Sequence, residues 1–130
     1  GEFTAMELGI LAQWMVNRGS YGARQFIRTE TFERLLPQPL QVADPGYAAD
    51  EGIGIHWQRH LKPGVPRDSK RDEDLLFGPK TLGHGSFSGC IFLVDPDLDL
   101  VVVQVRKQSG VRSAEWSPQF FQTIANVINE

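Results

Sequence analysis

The stretch from Gly83 to Cys90 concentrates the residue types of this chain that could do chemistry. It holds three glycines among eight residues, together with His84, Ser86 and Ser88. An imidazole can exchange a proton near neutral pH, and hydroxyls both donate and accept hydrogen bonds. Glycine weakens a strand unless a ligand or another backbone must come close. The residues alone therefore leave two interpretations open: a strand that lines a ligand site, or a glycine-rich bulge that bends the strand.

Two other groups of residues look like metal ligands but are better explained otherwise. His56 and His60 lie four apart within an alternating, strand-like pattern, which separates them by roughly 13 Å, too far to share a metal ion. We expect them to face solvent or a groove. Asp95, Asp97 and Asp99 alternate as in a calcium loop, but the glycine and the distal glutamate of such a loop are absent. Asp-Pro-Asp predicts a hairpin turn instead.

Composition narrows the classes of partner. The chain has 130 residues, a net charge of −3, 41% hydrophobic and 22% charged residues, which is ordinary for a globular protein. No basic stripe indicates nucleic acid, and no apolar run approaches the ~18–20 residues of a membrane span. The single cysteine, Cys90, excludes an internal disulfide and a cysteine-rich zinc site. Its sequence neighbours predict a buried, unreactive thiol, and nothing in the sequence predicts a cofactor.

Three helices must help to position these residues. Thr4 and Glu7 have the spacing of a capping box, in which each side chain satisfies a free backbone N–H. The second helix has a predicted cap at Thr29 or Thr31. The last one is predicted to open at Ser117-Pro118, with the proline at the first helical position.

Three strands complete the predicted fold. They span about 52–59, 81–94 and 100–106, and the turn at 95–99 joins the last two. Leu100, Val101, Val102, Val103 and Val105 place apolar side chains on both faces, so this strand should be central and covered on both sides. The segment 61–80 is predicted to be a mobile, solvated loop. The sequence thus predicts an α+β chain, a single domain or fragment over 1–130, whose three-stranded antiparallel sheet is flanked by N- and C-terminal helices and has exposed edges.

Several motifs, taken together in their order, resemble a known family. They are Phe3-Thr4-Ala5-Met6-Glu7-Leu8 with Asn17-Arg18-Gly19, Gly52-Ile53-Gly54-Ile55-His56-Trp57, Gly83-His84-Gly85-Ser86-Phe87-Ser88-Gly89, and Asp95-Pro96-Asp97 before a valine-rich strand. This set resembles the C-terminal part of the serine β-lactamase and penicillin-binding-protein superfamily, in the class C-like branch that includes esterases and D-aminopeptidases. The resemblance implies a partial β-lactamase/transpeptidase-like fold.

The resemblance also implies roles for individual residues. His84 would occupy the third-motif position, where the family lysine or histidine contacts the substrate carboxylate or supports proton transfer. The backbone N–H of Phe87 would be one donor of the oxyanion hole. Gly85, Ser86 and Ser88 would contact substrate, with Ser86 replacing the usual glycine.

The catalytic set of that family is incomplete in this sequence. No serine is followed by lysine at the third position, and no Tyr-x-Asn occurs. We therefore expect a C-terminal fragment of a bacterial hydrolase that is inactive alone, and whose parent acts on an acyl substrate such as a β-lactam, peptide or ester. The resemblance favours a periplasmic or extracellular location, and the cytoplasm stays open. The alternative is a non-catalytic α/β module that self-associates or pairs with another chain through an open sheet edge. The expected protein partners are a second copy of the chain or the missing N-terminal part.

Overall fold

The computed structural model describes residues 3–39, 50–51, 55–86, 88–107 and 110–129. Over these residues the chain is α+β, as the sequence predicts. Helix α1 spans Ala5–Val16, α2 spans Thr29–Arg34 and α3 spans Ser113–Ile128. None of these helices combines the length and hydrophobicity that a bilayer span requires.

The strands of the described chain form three antiparallel groups. Two are short ladders, in which β1 (Ser20–Tyr21) pairs with β2 (Arg24–Gln25), and β3 (Gln38–Pro39) pairs with β4 (Asp50–Glu51). The third is a four-stranded sheet whose strands follow chain order: β5 (His56–Trp57), β6 (Leu82–Gly85), β7 (Ile91–Asp95) and β8 (Leu100–Gln104).

The prediction of a three-stranded sheet is wrong, because the expected strand 81–94 is two strands joined by a tight turn. At this turn the Ser86 carbonyl accepts a hydrogen bond from Gly89 N at 2.9 Å, and Ser86 N donates to Cys90 O at 2.9 Å. Gly89 has φ 84°, a left-handed conformation that favours glycine. The chain therefore reverses here, and β7 pairs back on β6.

The position predicted for the valine-rich strand is also corrected. Strand β8 is covered on both faces, since Val101 and Val103 pack into one apolar cluster and Val102 into another. It nevertheless lies at the end of the strand order, and among the described residues it pairs with β7 alone. A strand that is buried on both faces need not be central in its sheet. Burial of the faces depends on the elements packed above and below, whereas a central position requires a hydrogen-bonded strand on each side.

Two apolar clusters hold the sheet between helices. On one face, Leu82, Phe92 and Val94 pack with Ala12 and Met15 of α1. On the other face, the cluster consists of Phe77, Leu93, Val102, Phe121 and Ala125, the last two from α3. Residues 92, 93 and 94 thus alternate between the two faces, as the two-residue period of a strand requires.

The helix starts show where local signals suffice. The capping box of α1 is confirmed: Glu7 N donates to Thr4 Oγ1 at 3.2 Å and Thr4 N to a Glu7 carboxylate oxygen at 2.7 Å. The predicted threonine cap of α2 is wrong, because Thr29 is already helical and Arg28 precedes it without a side-chain cap. Helix α3 begins before the predicted proline, which lies inside it. The carbonyl of Arg112 accepts from Trp116 N at 3.2 Å, so the helix already has its first turn there.

The segment 61–80 contains more structure than a bare loop. It includes a 3-10 helix at Asp72–Asp74 and an isolated bridge between Leu61 and Leu75. Leu75 and Phe77 are buried. The segment therefore contributes to the core at its C-terminal end, and its predicted mobility stays a prediction.

Candidate functional site

The candidate site lies at the reversal between β6 and β7. His84 pairs with Phe92 and Gly85 with Ile91, and these are the last pairs before the turn. His84, Gly85 and Ser86 are exposed, whereas Gly83 is buried. The segment singled out from the sequence thus divides into a buried strand and an exposed tip.

Two of its glycines have different surroundings. A Cβ at Gly83 would collide with the carbonyl oxygen of Phe92 on the adjacent strand. At Gly85 the nearest atom would be Cys90 O, 3.9 Å away, which is ordinary contact. Close approach between strands therefore explains Gly83, and only Gly85 leaves its flank open to a ligand. The pairing of β6 with β7 runs without a bulge from Leu82 to Gly85, so the bulge interpretation is wrong for these two glycines, and the ligand-site interpretation stays a prediction.

The tip is organised by a chain of polar side chains. The hydroxyls of Ser86 and Ser88 lie 2.8 Å apart, and Ser86 Oγ also accepts from Cys90 N at 3.1 Å. Ser88 Oγ lies 3.6 Å from Cys90 Sγ. The two hydroxyls therefore hydrogen-bond each other and support the turn.

Cys90 connects this tip to the end of β8. Its thiol lies 3.3 Å from both the backbone N and the carbonyl O of Arg106. The hydrogen bond from Arg106 N–H, followed by that from the Ser88 hydroxyl, lowers the thiol pKa below its ordinary value because both stabilise the thiolate. The prediction of a buried thiol is wrong, since the residue is half-buried, and its lack of reactivity stays a prediction. Arg106, the main cause of the lowered pKa, lies sixteen positions away in sequence.

Behind His84 lies a small cavity of about 180 Å³. Polar and apolar groups share its lining, which is formed by Gln58, His60, His84, Gly85, Ile91, Phe92, Leu93 and Phe121. Gln58 Nε2 donates to Gly83 O at 3.3 Å, which ties β5 to β6 next to the cavity. The rings of His56 and His84 lie 5.7 Å apart between centroids. The cavity thus brings two of the three histidines to one place and a third beside it.

His60 was expected to face solvent or a groove, and it lines this cavity with its ring half-buried. The ring lies against Phe121, with centroids 4.0 Å apart, and near Phe77 at 5.9 Å. Burial lowers the pKa of His60, because the charged imidazolium loses hydration there. The side chain therefore favours its neutral form. Among the described residues no group of three or more potential ligands could hold a metal ion.

The opposite end of β7 contains a fully buried carboxylate. Asp95 Oδ2 accepts from Gly78 N at 2.5 Å and lies 3.1 Å from Thr81 Oγ1, while Oδ1 accepts from the backbone of Asp97 at 2.9 Å and Leu98 at 3.2 Å. The predicted hairpin turn is confirmed here. Asp95 is nevertheless more than a turn residue, since it joins the 61–80 segment to the sheet.

The predicted site residues mostly come together. His84, Gly85, Ser86 and Ser88 are neighbours at the tip, and Phe87, the predicted oxyanion-hole donor, lies outside the described residues. Sequence reasoning missed His60 and Arg106 as neighbours of this tip. Only the pairing of β5 with β6 and of β7 with β8 brings them there, and no local pattern carries that information.

Similarity to known proteins adds nothing to this geometry. No protein-family model and no curated protein sequence matches the chain.

Proposed function

We propose that this chain is the C-terminal part of a serine hydrolase domain of the β-lactamase and penicillin-binding-protein type, class C-like branch, and that it is inactive alone. In this role it supplies the third active-site motif and the oxyanion strand. The observation that supports the proposal is the tip of β6. There an exposed imidazole at His84 adjoins Gly85, where a Cβ would meet nothing closer than 3.9 Å.

An acyl substrate would lie along this open flank of β6. An extended ligand can hydrogen-bond to backbone groups next to a glycine, because no side chain blocks its approach. His84 would then contact the substrate carboxylate or pass a proton, and the hydroxyls of Ser86 and Ser88 would offer further hydrogen bonds. The family resemblance assigns the Phe87 N–H to the oxyanion hole.

The proposal includes the lack of activity, because the substrate-binding residues of this chain cannot catalyse acyl transfer without a nucleophile. An oxyanion-hole donor contributes about 10²–10³ in rate only when a nucleophile attacks the carbonyl beside it. The sequence contains no Ser-x-x-Lys. The Ser86 and Ser88 hydroxyls are 2.8 Å from each other and hydrogen-bonded together, rather than to a general base.

Hydrolysis of a chromogenic cephalosporin and of a p-nitrophenyl ester by the purified chain tests the first half of the proposal. We expect no turnover above buffer. Robust turnover that is lost in His84→Ala would refute the claim that the chain is incomplete. A Thr123→Ala variant, altered on the exposed side of α3 and purified in the same way, should keep any turnover that His84→Ala loses. Turnover that is equal in all three preparations would come from a contaminating esterase.

The reading frame upstream of Gly1 tests the second half. We expect it to encode a Ser-x-x-Lys followed by a Tyr-x-Asn. The protein expressed from the whole frame should be acylated by a fluorescent penicillin or a fluorophosphonate ester probe. Its His84→Ala variant should lose most of that labelling. An upstream frame with neither motif would contradict the family assignment.

A non-catalytic function is the second candidate, and the position of β8 favours it. Within the described part of the chain this strand lies at the end of the sheet order although both its faces are covered, so its outer edge would be the place where another strand pairs. The chain would then act as an interaction module that self-associates by strand addition. Light scattering across concentrations distinguishes the two: a strict monomer would count against the module, and a concentration-dependent oligomer would support it.

A further inference from the structure

A second, larger cavity lies at the end of β6 far from His84. It has a volume of about 810 Å³ and is bounded by the end of α1, by α2 and by strands β5, β6 and β7. Leu82 and Gly85 stand at opposite ends of β6, roughly 10 Å apart along the strand. The cavity is therefore separate from the candidate site, and an inference about it does not rest on the proposed function.

The inner part of the cavity lining is apolar. Met15 of α1, Phe32 of α2 and Leu82 of β6 contribute to it, and each of these side chains is buried. Trp57 adds a half-buried aromatic surface. Cavities of about 300–1,000 Å³ with such walls are typical of sites for small molecules. The occupant that suits these walls has a hydrocarbon or aromatic body.

The rim of the cavity is cationic. Arg18, Arg59 and Lys80 lie there, and among the described lining residues Glu33 is the one carboxylate. Arg18 pairs with Glu33 at 3.2 Å, and Arg59 pairs with Asp72 at 3.2 Å outside the cavity. Lys80 makes no ion pair or hydrogen bond within the part of the chain that the structure describes. One ammonium group at the rim is thus available to an anion.

We propose that this cavity binds an amphipathic carboxylate, a small molecule with an aliphatic or aromatic body and one anionic head. The body lies against Phe32, Trp57 and Leu82, and the carboxylate pairs with Lys80. A neutral lipid cannot form the ion pair with Lys80, and a polyanion has no apolar body to pack against the cavity wall. Each methylene buried on these walls should raise the affinity about fourfold, the equivalent of about 0.8 kcal/mol, until the cavity is filled.

The test is a titration of the purified 130-residue chain with 11-(dansylamino)undecanoate, followed by displacement with decanoate or decan-1-ol. We expect saturable binding, and displacement by decanoate at concentrations at least about fivefold lower than decan-1-ol, as a partly exposed ion pair allows. Equal displacement by the alcohol would overturn the anionic head. No binding up to about 1 mM probe, a weak-affinity limit, would overturn the site itself.

Two pairs of variants locate the site. Lys80→Glu should weaken the probe at least about fivefold because attraction becomes repulsion, whereas Lys107→Glu, the same charge change on an exposed residue outside the cavity, should not. Pro79→Trp should block the cavity, and Pro63→Trp, at an exposed turn, should leave binding intact. Circular dichroism confirms folding of all four. Equal affinities within either pair would contradict the assignment. Probe binding that falls as the protein concentration rises would also contradict it, because a second copy of the chain would then cover the cavity.

Discussion

The two ends of strand β7 differ in how deeply their polar groups are buried. At one end Asp95 is completely buried, and its two carboxylate oxygens lie within hydrogen-bond distance of four donors, from Gly78, Thr81, Asp97 and Leu98. At the other end Cys90 is half-buried among exposed or half-buried hydroxyls. A charge can remain in a protein interior only when its hydrogen bonds are satisfied. The first end therefore ties a loop to the sheet, and the second leaves polar groups accessible to solvent.

The strongest test of this comparison uses the two glycines of β6. Gly83→Ala should lower the free energy of unfolding by about 3 kcal/mol or more, because the new Cβ would collide with backbone that cannot move aside. Gly85→Ala should change it by less than about 0.5 kcal/mol, as at an open surface position. Urea denaturation followed by circular dichroism measures both. Equal effects would mean that the strand is not divided into a structural and an open half.

The buried carboxylate gives the next largest effect. Asp95→Ala should cost about 2 kcal/mol, since the Gly78 N–H and the turn N–H groups lose a charged acceptor. The matched change Asp97→Ala removes an exposed carboxylate two residues away and should cost less than about 0.5 kcal/mol. A small effect of Asp95→Ala in the same urea experiment would show that water satisfies these donors and that this end of β7 is not the fixed one.

The sequence predicts local features of this fold better than the contacts that shape the site. The capping box at Thr4 and Glu7 involves residues three apart, and it was found from that spacing. The break at Ser86–Cys90 was missed because the run 81–94 is apolar beyond the break and reads as one strand. The burial of Asp95 depends on Gly78 and Thr81, and the environment of Cys90 on Arg106. Such contacts form only once the strand register is set.

The histidine beside the open end should make stability depend on pH. Burial lowers the pKa of His60 in the folded state below the ordinary value of 6.5, so the unfolded chain binds protons more readily. The contribution of His60 to the free energy of unfolding is therefore fully present above pH 6.5 and decreases as the pH falls below that value. Urea midpoints at pH 7.5 and 5.5 should differ for the wild type, and differ less in His60→Gln. A pH difference that survives unchanged in His60→Gln would show that the buried ring is not its source.

The smallest expected effect is on the reactivity of Cys90, and it tests whether the open end is chemically distinct. Because hydrogen bonds from Arg106 N–H and Ser88 lower the thiol pKa, a larger fraction is thiolate at neutral pH than in a free peptide. The pH profile of alkylation by iodoacetamide should therefore have its midpoint below that of a cysteine peptide. Ser88→Ala should raise this midpoint by removing one donor, whereas Ser20→Ala, whose hydroxyl bonds to Asn17 O at 3.0 Å, should not. An unchanged midpoint in Ser88→Ala would mean that the Ser88 hydroxyl does not stabilise the thiolate. If the alkylation midpoint of Cys90 equals that of the peptide, the surroundings of the thiol do not activate it. Cys90 would then have a structural role, as Asp95 has at the other end of β7.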